Sequence, residues 1–184
     1  MIDYAKINLK AGNGGNGAVA WRREKYEPTG GPAGGDGGDG GSIIIKATRN
    51  LSTLDDFKYK TKYKAQNGEP GGKSKKFGKK GEDLLLNVPV GTILREAETN
   101  TIIKDFKTDG EKFIIAKGGK GGRGNVHFKN SIRQAPRFAE NGKKGQEIDL
   151  ILELKVLADI GLVGLPNVGT VSYTHLTLPT ICSV

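Results

Sequence analysis

Apolar and polar residues alternate from Ala5 to Leu9, with Ile7 and Leu9 on one face, and the pattern predicts a first strand over Ile2 to Leu9. Ala18 to Arg23, which follows the first glycine cluster, predicts a return strand. Ser42 to Ala47, built on Ile43, Ile44 and Ile45, predicts a short buried one. Four more follow at Glu82 to Val88, Thr92 to Glu96, Thr101 to Phe106 and Glu111 to Lys117. A turn near Thr99-Asn100 and the hairpin dipeptide Asp109-Gly110 separate them. Gln146 to Lys155 alternates acids with Ile or Leu and predicts the last strand. Ser52-Thr53-Leu54-Asp55 has the form of a helix N-cap with an acid three residues on, which predicts one helical turn. From Phe57 to Lys64 lysine occupies every second position, predicting a strand with an aromatic face and a lysine face. Those lysines either guard a sheet edge or touch a ligand. About eight strands and almost no helix give an all-β fold, a compact sandwich or barrel.

Between the strands lies a different period. Residues 31 to 42 read Gly-Pro-Ala, Gly-Gly-Asp, Gly-Gly-Asp, Gly-Gly-Ser, four triplets with glycine first. Polyproline II turns once in three residues and makes no internal hydrogen bonds, so glycine at every third position lets such a segment lie close against a neighbour. The period recurs at Gly12 to Gly17, Gly68 to Gly71 and Gly118 to Gly124. The expectation is three long Gly-rich loops, packed and standing on the β scaffold. Flexible low-complexity linker is the alternative.

With 184 residues the chain is sized for one substantial domain. No stretch approaches the roughly 20 apolar residues of a membrane span, and no apolar signal region opens the chain, so a cytoplasmic protein is expected. The single cysteine, Cys182, offers neither a disulfide framework nor a metal-ligand cluster. The formal charge of +9 is concentrated: Lys58 to Lys80 and Lys117 to Arg137 together carry +14, leaving −5 for the remainder. Such concentration suggests a polyanionic partner, nucleic acid or an anionic membrane surface, against the alternative of a solvated lysine-rich face.

The basic residues also interleave with aromatics. Arg22, Arg23 and Lys25 stand beside Trp21 and Tyr26; Lys75, Lys76, Lys79 and Lys80 flank Phe77; Lys120, Arg123, Lys129, Arg133 and Arg137 surround Phe128 and Phe138. Cationic groups bind phosphates while aromatics and guanidinium planes stack on unpaired bases, so these residues are the candidate RNA-binding set. Other chemistry finds less support. Gly12 to Gly17 and Gly119 to Gly124 satisfy G-x-G-x-x-G, but a strand pattern rather than a helix follows the first copy, so a dinucleotide site is not expected. Asp36 and Asp39 belong to the triplet repeat, and no catalytic residue is assigned. After Lys155 an apolar run, Ile160 to Val163, leads into Gly164-Leu165-Pro166-Asn167-Val168-Gly169, the backbone half of a phosphate-binding P-loop. Thr170-Val171 stands where Lys and Ser are needed.

Ala11 to Trp21, the triplets from Gly30 to Gly41, Ala65-Gln66-Asn67-Gly68, Val88-Pro89-Val90-Gly91-Thr92, Lys117 to Asn125, Arg133-Gln134-Ala135-Pro136-Arg137 and Ala158 to Gly169 together resemble the Obg class of bacterial ribosome-associated GTPases. That resemblance implies an Obg domain over residues 1–157 and the first strand and partial P-loop of a GTPase domain over 158–169. It implies GTP and Mg²⁺ in the complete family member, with neither expected to bind this chain. The implied partner is the large ribosomal subunit and its RNA, with the loops reaching toward the peptidyl transferase region; DNA and self-association are not expected. Residues 170–184 contain no Lys, Arg, Asp or Glu and resemble translated adapter sequence, so they are expected to be non-native. His175 and Cys182 fall in that stretch, which leaves His127 as the one other histidine. The alternative function is a structural or protein-interaction module whose Gly-rich loops self-associate.

Overall fold

The computed structural model describes residues 3–22 and 30–155. It contains eight strands: β1 (Tyr4–Lys10), β2 (Ile43–Thr48), β3 (Lys62–Lys64), β4 (Leu84–Pro89), β5 (Thr92–Glu96), β6 (Ile102–Asp105), β7 (Lys112–Ala116) and β8 (Glu147–Leu154). They form a five-stranded sheet in the order β3-β1-β8-β5-β6 and a three-stranded sheet in the order β4-β2-β7, an all-β arrangement without a closed barrel. Alternation decides which side chains meet inside. Ile7 and Leu9 of β1, Leu150 and Leu152 of β8, Leu94 of β5 and Ile43 and Ile45 of β2 are all fully buried in one core with Phe106.

Four local expectations change. The predicted strand from Ala18 to Arg23 is absent over its described part, Ala18 to Arg22: only an isolated bridge, Trp21 to Pro32, occurs there, because the neighbouring backbone belongs to the triplet bundle rather than a sheet. Phe57 to Lys64 is not one strand either. A short helix, α1 (Asp55–Tyr59), carries Phe57 inward and β3 carries Tyr63 inward, their rings 5.8 Å apart, while Tyr59 is 85% exposed. The lysines of β3, Lys62 and Lys64, do lie exposed on an edge strand. The helix is capped at Leu54 without a side-chain hydrogen bond, since Thr53 Oγ1 donates to Asp55 Oδ2 instead. Asp109-Gly110 does turn the chain, with Gly110 at φ +78°, but β6 and β7 join different sheets and make no hairpin. The Thr99-Asn100 turn does connect the antiparallel pair β5–β6.

The glycine triplets form a bundle rising from one end of the sheets. Each of the three loops runs out and back, giving six legs around residues 12–18, 31–42, 66–72, 76–82, 117–125 and 138–146. The hydrogen bonds between them advance three residues at a time. Gly12, Gly15 and Ala18 donate to the carbonyls of Gly41, Gly38 and Gly35 at 2.8–2.9 Å, so the first two legs run antiparallel. Gly35, Gly38 and Gly41 donate in turn to Gly72, Glu69 and Gln66, and Gly37 and Gly40 donate to Gly122 and Gly119. A polyproline II leg has no internal partners for its amides, so neighbours must supply them. The non-glycine positions of the triplets complete this supply: Asp36 and Asp39 accept from the amides of Gly124 and Gly121, and Asn13 and Asn16 from those of Gly145 and Gly142.

Where bundle meets sheet, Asp83 accepts the Ser42 amide at 2.7 Å. That hydrogen bond holds the Asp83 carboxyl below its usual range, with Lys80 adding to the effect. The leg over residues 31–42 has legs on several sides and spans about 35 Å at polyproline II rise.

Candidate nucleic-acid interface

The far end of the bundle collects the loop turns. The second loop reverses through Ser74 and Lys75, both at positive φ (56° and 59°), and the Lys75 amide donates to Ala33 O of the first loop at 2.7 Å. This pins Lys75 and Lys76 beside the start of the 31–42 leg. Arg22 sits on the same end, its amide donating to Gly31 O at 3.1 Å, and the Lys129 ammonium lies close to Gly31.

The third loop is locked onto the first by Asn125, fully buried within a one-turn 3-10 helix (Asn125–Phe128). Its Oδ1 accepts the Gly34 amide at 2.8 Å, while Nδ2 donates to Ala20 O and Pro136 O at 3.0 and 3.1 Å. One side chain therefore ties the third loop to both legs of the first. Asn125→Ala would leave the Gly34 amide and the Pro136 carbonyl without this partner, while Ala20 O keeps its bond from the Ala33 amide. Its expected cost is about 2 to 4 kcal/mol, and Asn125→Asp should recover only the Gly34 contact. Denaturant midpoints of both variants check this.

Of the candidate basic residues, Arg22, Lys75, Lys76, Lys129, Arg133 and Arg137 belong to this tip, and all are exposed. Lys79, Lys80, Lys120 and Arg123 lie along the legs instead, so the set divides into an end cluster and a flank. Lys80 pairs with Asp83 and Arg123 with Glu140, each at 3.4 Å. Lys75, Lys76, Lys79, Lys120, Lys129, Arg133 and Arg137 form no ion pair among the described residues. Arg23, Lys25 and Gly164 to Gly169 lie outside the described residues.

The aromatics behave unequally. Phe128 and Phe138 pack on each other with centroids 4.8 Å apart, Phe138 keeping an exposed edge, while Phe77 is 68% exposed and Trp21 is also exposed. His127 Nε2 lies 2.9 Å from Asp36 Oδ2, the other oxygen of which already holds Gly124. Both groups therefore brace the bundle.

Lys73, Lys143 and Lys144 are exposed basic residues outside the candidate set, and Lys143 joins Lys120 and Arg123 around a shallow groove between the legs of the third loop. The signal for Lys143 and Lys144 was the spacing of Gly142 and Gly145, a triplet with lysines at its other two positions. No group of three or more His, Cys, Asp or Glu could hold a metal ion among the described residues, and no described helix is long and apolar enough to cross a membrane.

Comparison with known proteins extends the picture. The GTP1/OBG family model matches residues 2–156. The chain is 66% identical over 169 residues to the GTPase Obg of Finegoldia magna, covering 92% of the chain and 40% of that protein. It is 62% identical to the GTPase Obg of Caldicellulosiruptor bescii and 58% identical to that of Clostridium novyi, each over 92% of the chain and 40% of the relative. The chain thus spans about 40% of the length of these curated relatives. With a match across most of its length and through the whole triplet bundle, the chain belongs to the GTP1/OBG family.

Proposed function

We propose that this chain docks on the RNA of the large ribosomal subunit through the tip of its triplet bundle, serving assembly of that subunit. The observation that carries the reading is the cluster of Lys75, Lys76, Lys129, Arg133 and Arg137. These are exposed cations without described acidic partners, held on turns that the buried bundle fixes. Unpaired cations on a rigid spike favour a partner rich in phosphate, because bringing them together costs charge repulsion that only a polyanion offsets. Folded RNA suits this tip better than duplex DNA. Among the described residues the tip offers no α-helix or β-ribbon for a major groove, but it exposes Trp21 and Phe77 to unpaired bases.

Residues 1–157 act as the docking domain, and residues 158–169 begin a GTPase domain in the longer relatives, where GTP with Mg²⁺ regulates the docking. In this chain the positions for the P-loop ammonium and the metal-binding hydroxyl are Thr170 and Val171, which do not fit the nucleotide. Calorimetry of the 184-residue chain with GTP is therefore expected to give no saturable binding; a saturable isotherm would contradict this assignment of the site.

Co-sedimentation with large ribosomal subunits over a salt series tests the docking. Affinity falling linearly on a log-log plot is the expected result. Salt-indifferent self-association without RNA would replace docking with a protein-interaction module.

A further inference from the structure

Ile132 is the most exposed large apolar side chain described, 91% open, and it stands on the most basic loop of the tip. It occupies the third position of a tight turn, Asn130 to Arg133. The turn is closed twice: the Asn130 amide donates to Arg133 O at 3.1 Å, and the Arg133 amide donates to the Asn130 side-chain oxygen. Behind the turn the loop's neck is clasped by the Phe128–Phe138 pair and by the Asn125 hydrogen bond to Pro136 O.

A β-branched side chain on a doubly closed turn loses little freedom when it is buried by a partner. Its surroundings say what that partner is. Lys129, Arg133 and Arg137 on the same loop form no ion pair among the described residues, so an entering surface must be anionic at its rim and apolar at its centre. An RNA loop with an unstacked base has both properties: phosphates at the edge and a base face in the middle.

We propose that Ile132 is an apolar wedge that packs against an unstacked base of the bound RNA while Arg133 and its neighbours hold the flanking phosphates. Insertion of aliphatic side chains between base steps is a general way to convert apolar area into nucleic-acid affinity. The inference rests on the RNA-docking reading, and it separates cleanly from it because a wedge and a phosphate contact respond differently to salt. Phosphate contacts release counterions and set the slope of affinity against salt, whereas apolar contact adds affinity and leaves the slope alone.

The probe is protein-free large-subunit ribosomal RNA, titrated with the 184-residue chain and with Ile132→Ser, Ile132→Leu and Arg133→Ala across a salt series. Ile132→Ser should bind about tenfold more weakly at every salt concentration with an unchanged slope. Ile132→Leu should stay close to the parent, and Arg133→Ala should lower the slope. Because the side chain is exposed, melting temperature should not move. Parent-like binding by Ile132→Ser would overturn the wedge while leaving docking intact. A lower slope in that variant would also overturn it, showing that Ile132 only positions Arg133. Loss confined to intact subunits would reassign the contact to a ribosomal protein, and failure of the parent to bind would remove the docking reading and the wedge together.

Discussion

Gly37→Val is expected to open the loop bundle while leaving the sheets folded. A Cβ at Gly37 would fall on the Gly15 carbonyl, and the Gly37 amide is already committed to Gly122 O at 2.8 Å, so neither leg can move away without breaking its neighbours. Gly34 is equally enclosed, by Ala18 O and Asn125 Oδ1. Overpacking together with broken amide contacts should cost about 3 kcal/mol or more at either position. Gly31 supplies the control. A Cβ there meets only the end of the Lys129 side chain at 3.6 Å, so Gly31→Val should be nearly neutral. Limited proteolysis reads the difference directly: cleavage within residues 31–42 should accelerate strongly for Gly34→Val and Gly37→Val, and little for Gly31→Val. Equal rates in all three would mean that the triplets are a flexible linker.

Replacing Lys75, Lys76, Arg133 and Arg137 together by alanine should weaken binding to large subunits and flatten its salt dependence. Each lost phosphate contact removes about 0.7 to 0.9 from the slope, so the full replacement should lower it by about three. The four side chains are exposed and carry no described ion pair, while the Lys75 contact to Ala33 is made by its backbone and survives the change. Stability should therefore hold, which separates this variant from those at Gly34 and Gly37. Unchanged affinity with an unchanged slope would transfer the function to a protein-interaction module.

Strand alternation was legible wherever one face is buried and the other is wet. Ile7 and Leu9, or Leu150 and Leu152, could be assigned to the core from period alone. The same rule misread Phe57 to Lys64. Six residues separate Phe57 from Tyr63, and a helical turn followed by a short strand delivers both to the core as well as an extended strand would. Ala18 to Arg22 misled for a related reason: its partners are polyproline legs, whose three-residue period a strand reading does not anticipate.

The outward legs of the loops announced themselves by dense glycine. The return legs, with Gly78 and Gly81 or Gly142 and Gly145, kept only the glycines that touch a neighbour and were easy to pass over. The basic half of the candidate interface was visible as charge density, and Trp21 and Phe77 were visible as aromatics beside it. Ile132 was not, because an isolated isoleucine between polar residues reads as an ordinary surface residue until the turn beneath it is known.

Whether the tip is the end that meets RNA can be measured by tethering a radical-generating iron chelate to single cysteines on a Cys182→Ser background. Ser131→Cys places the chelate at the tip. Lys107→Cys places it at the opposite pole, where Gly110 bonds Ala47 at the far end of β2. With chain bound to large subunits, the account predicts strong cuts clustered in one region of the ribosomal RNA from position 131 and none in that region from position 107. Cuts in that region from position 107, or no cuts from position 131, would contradict it.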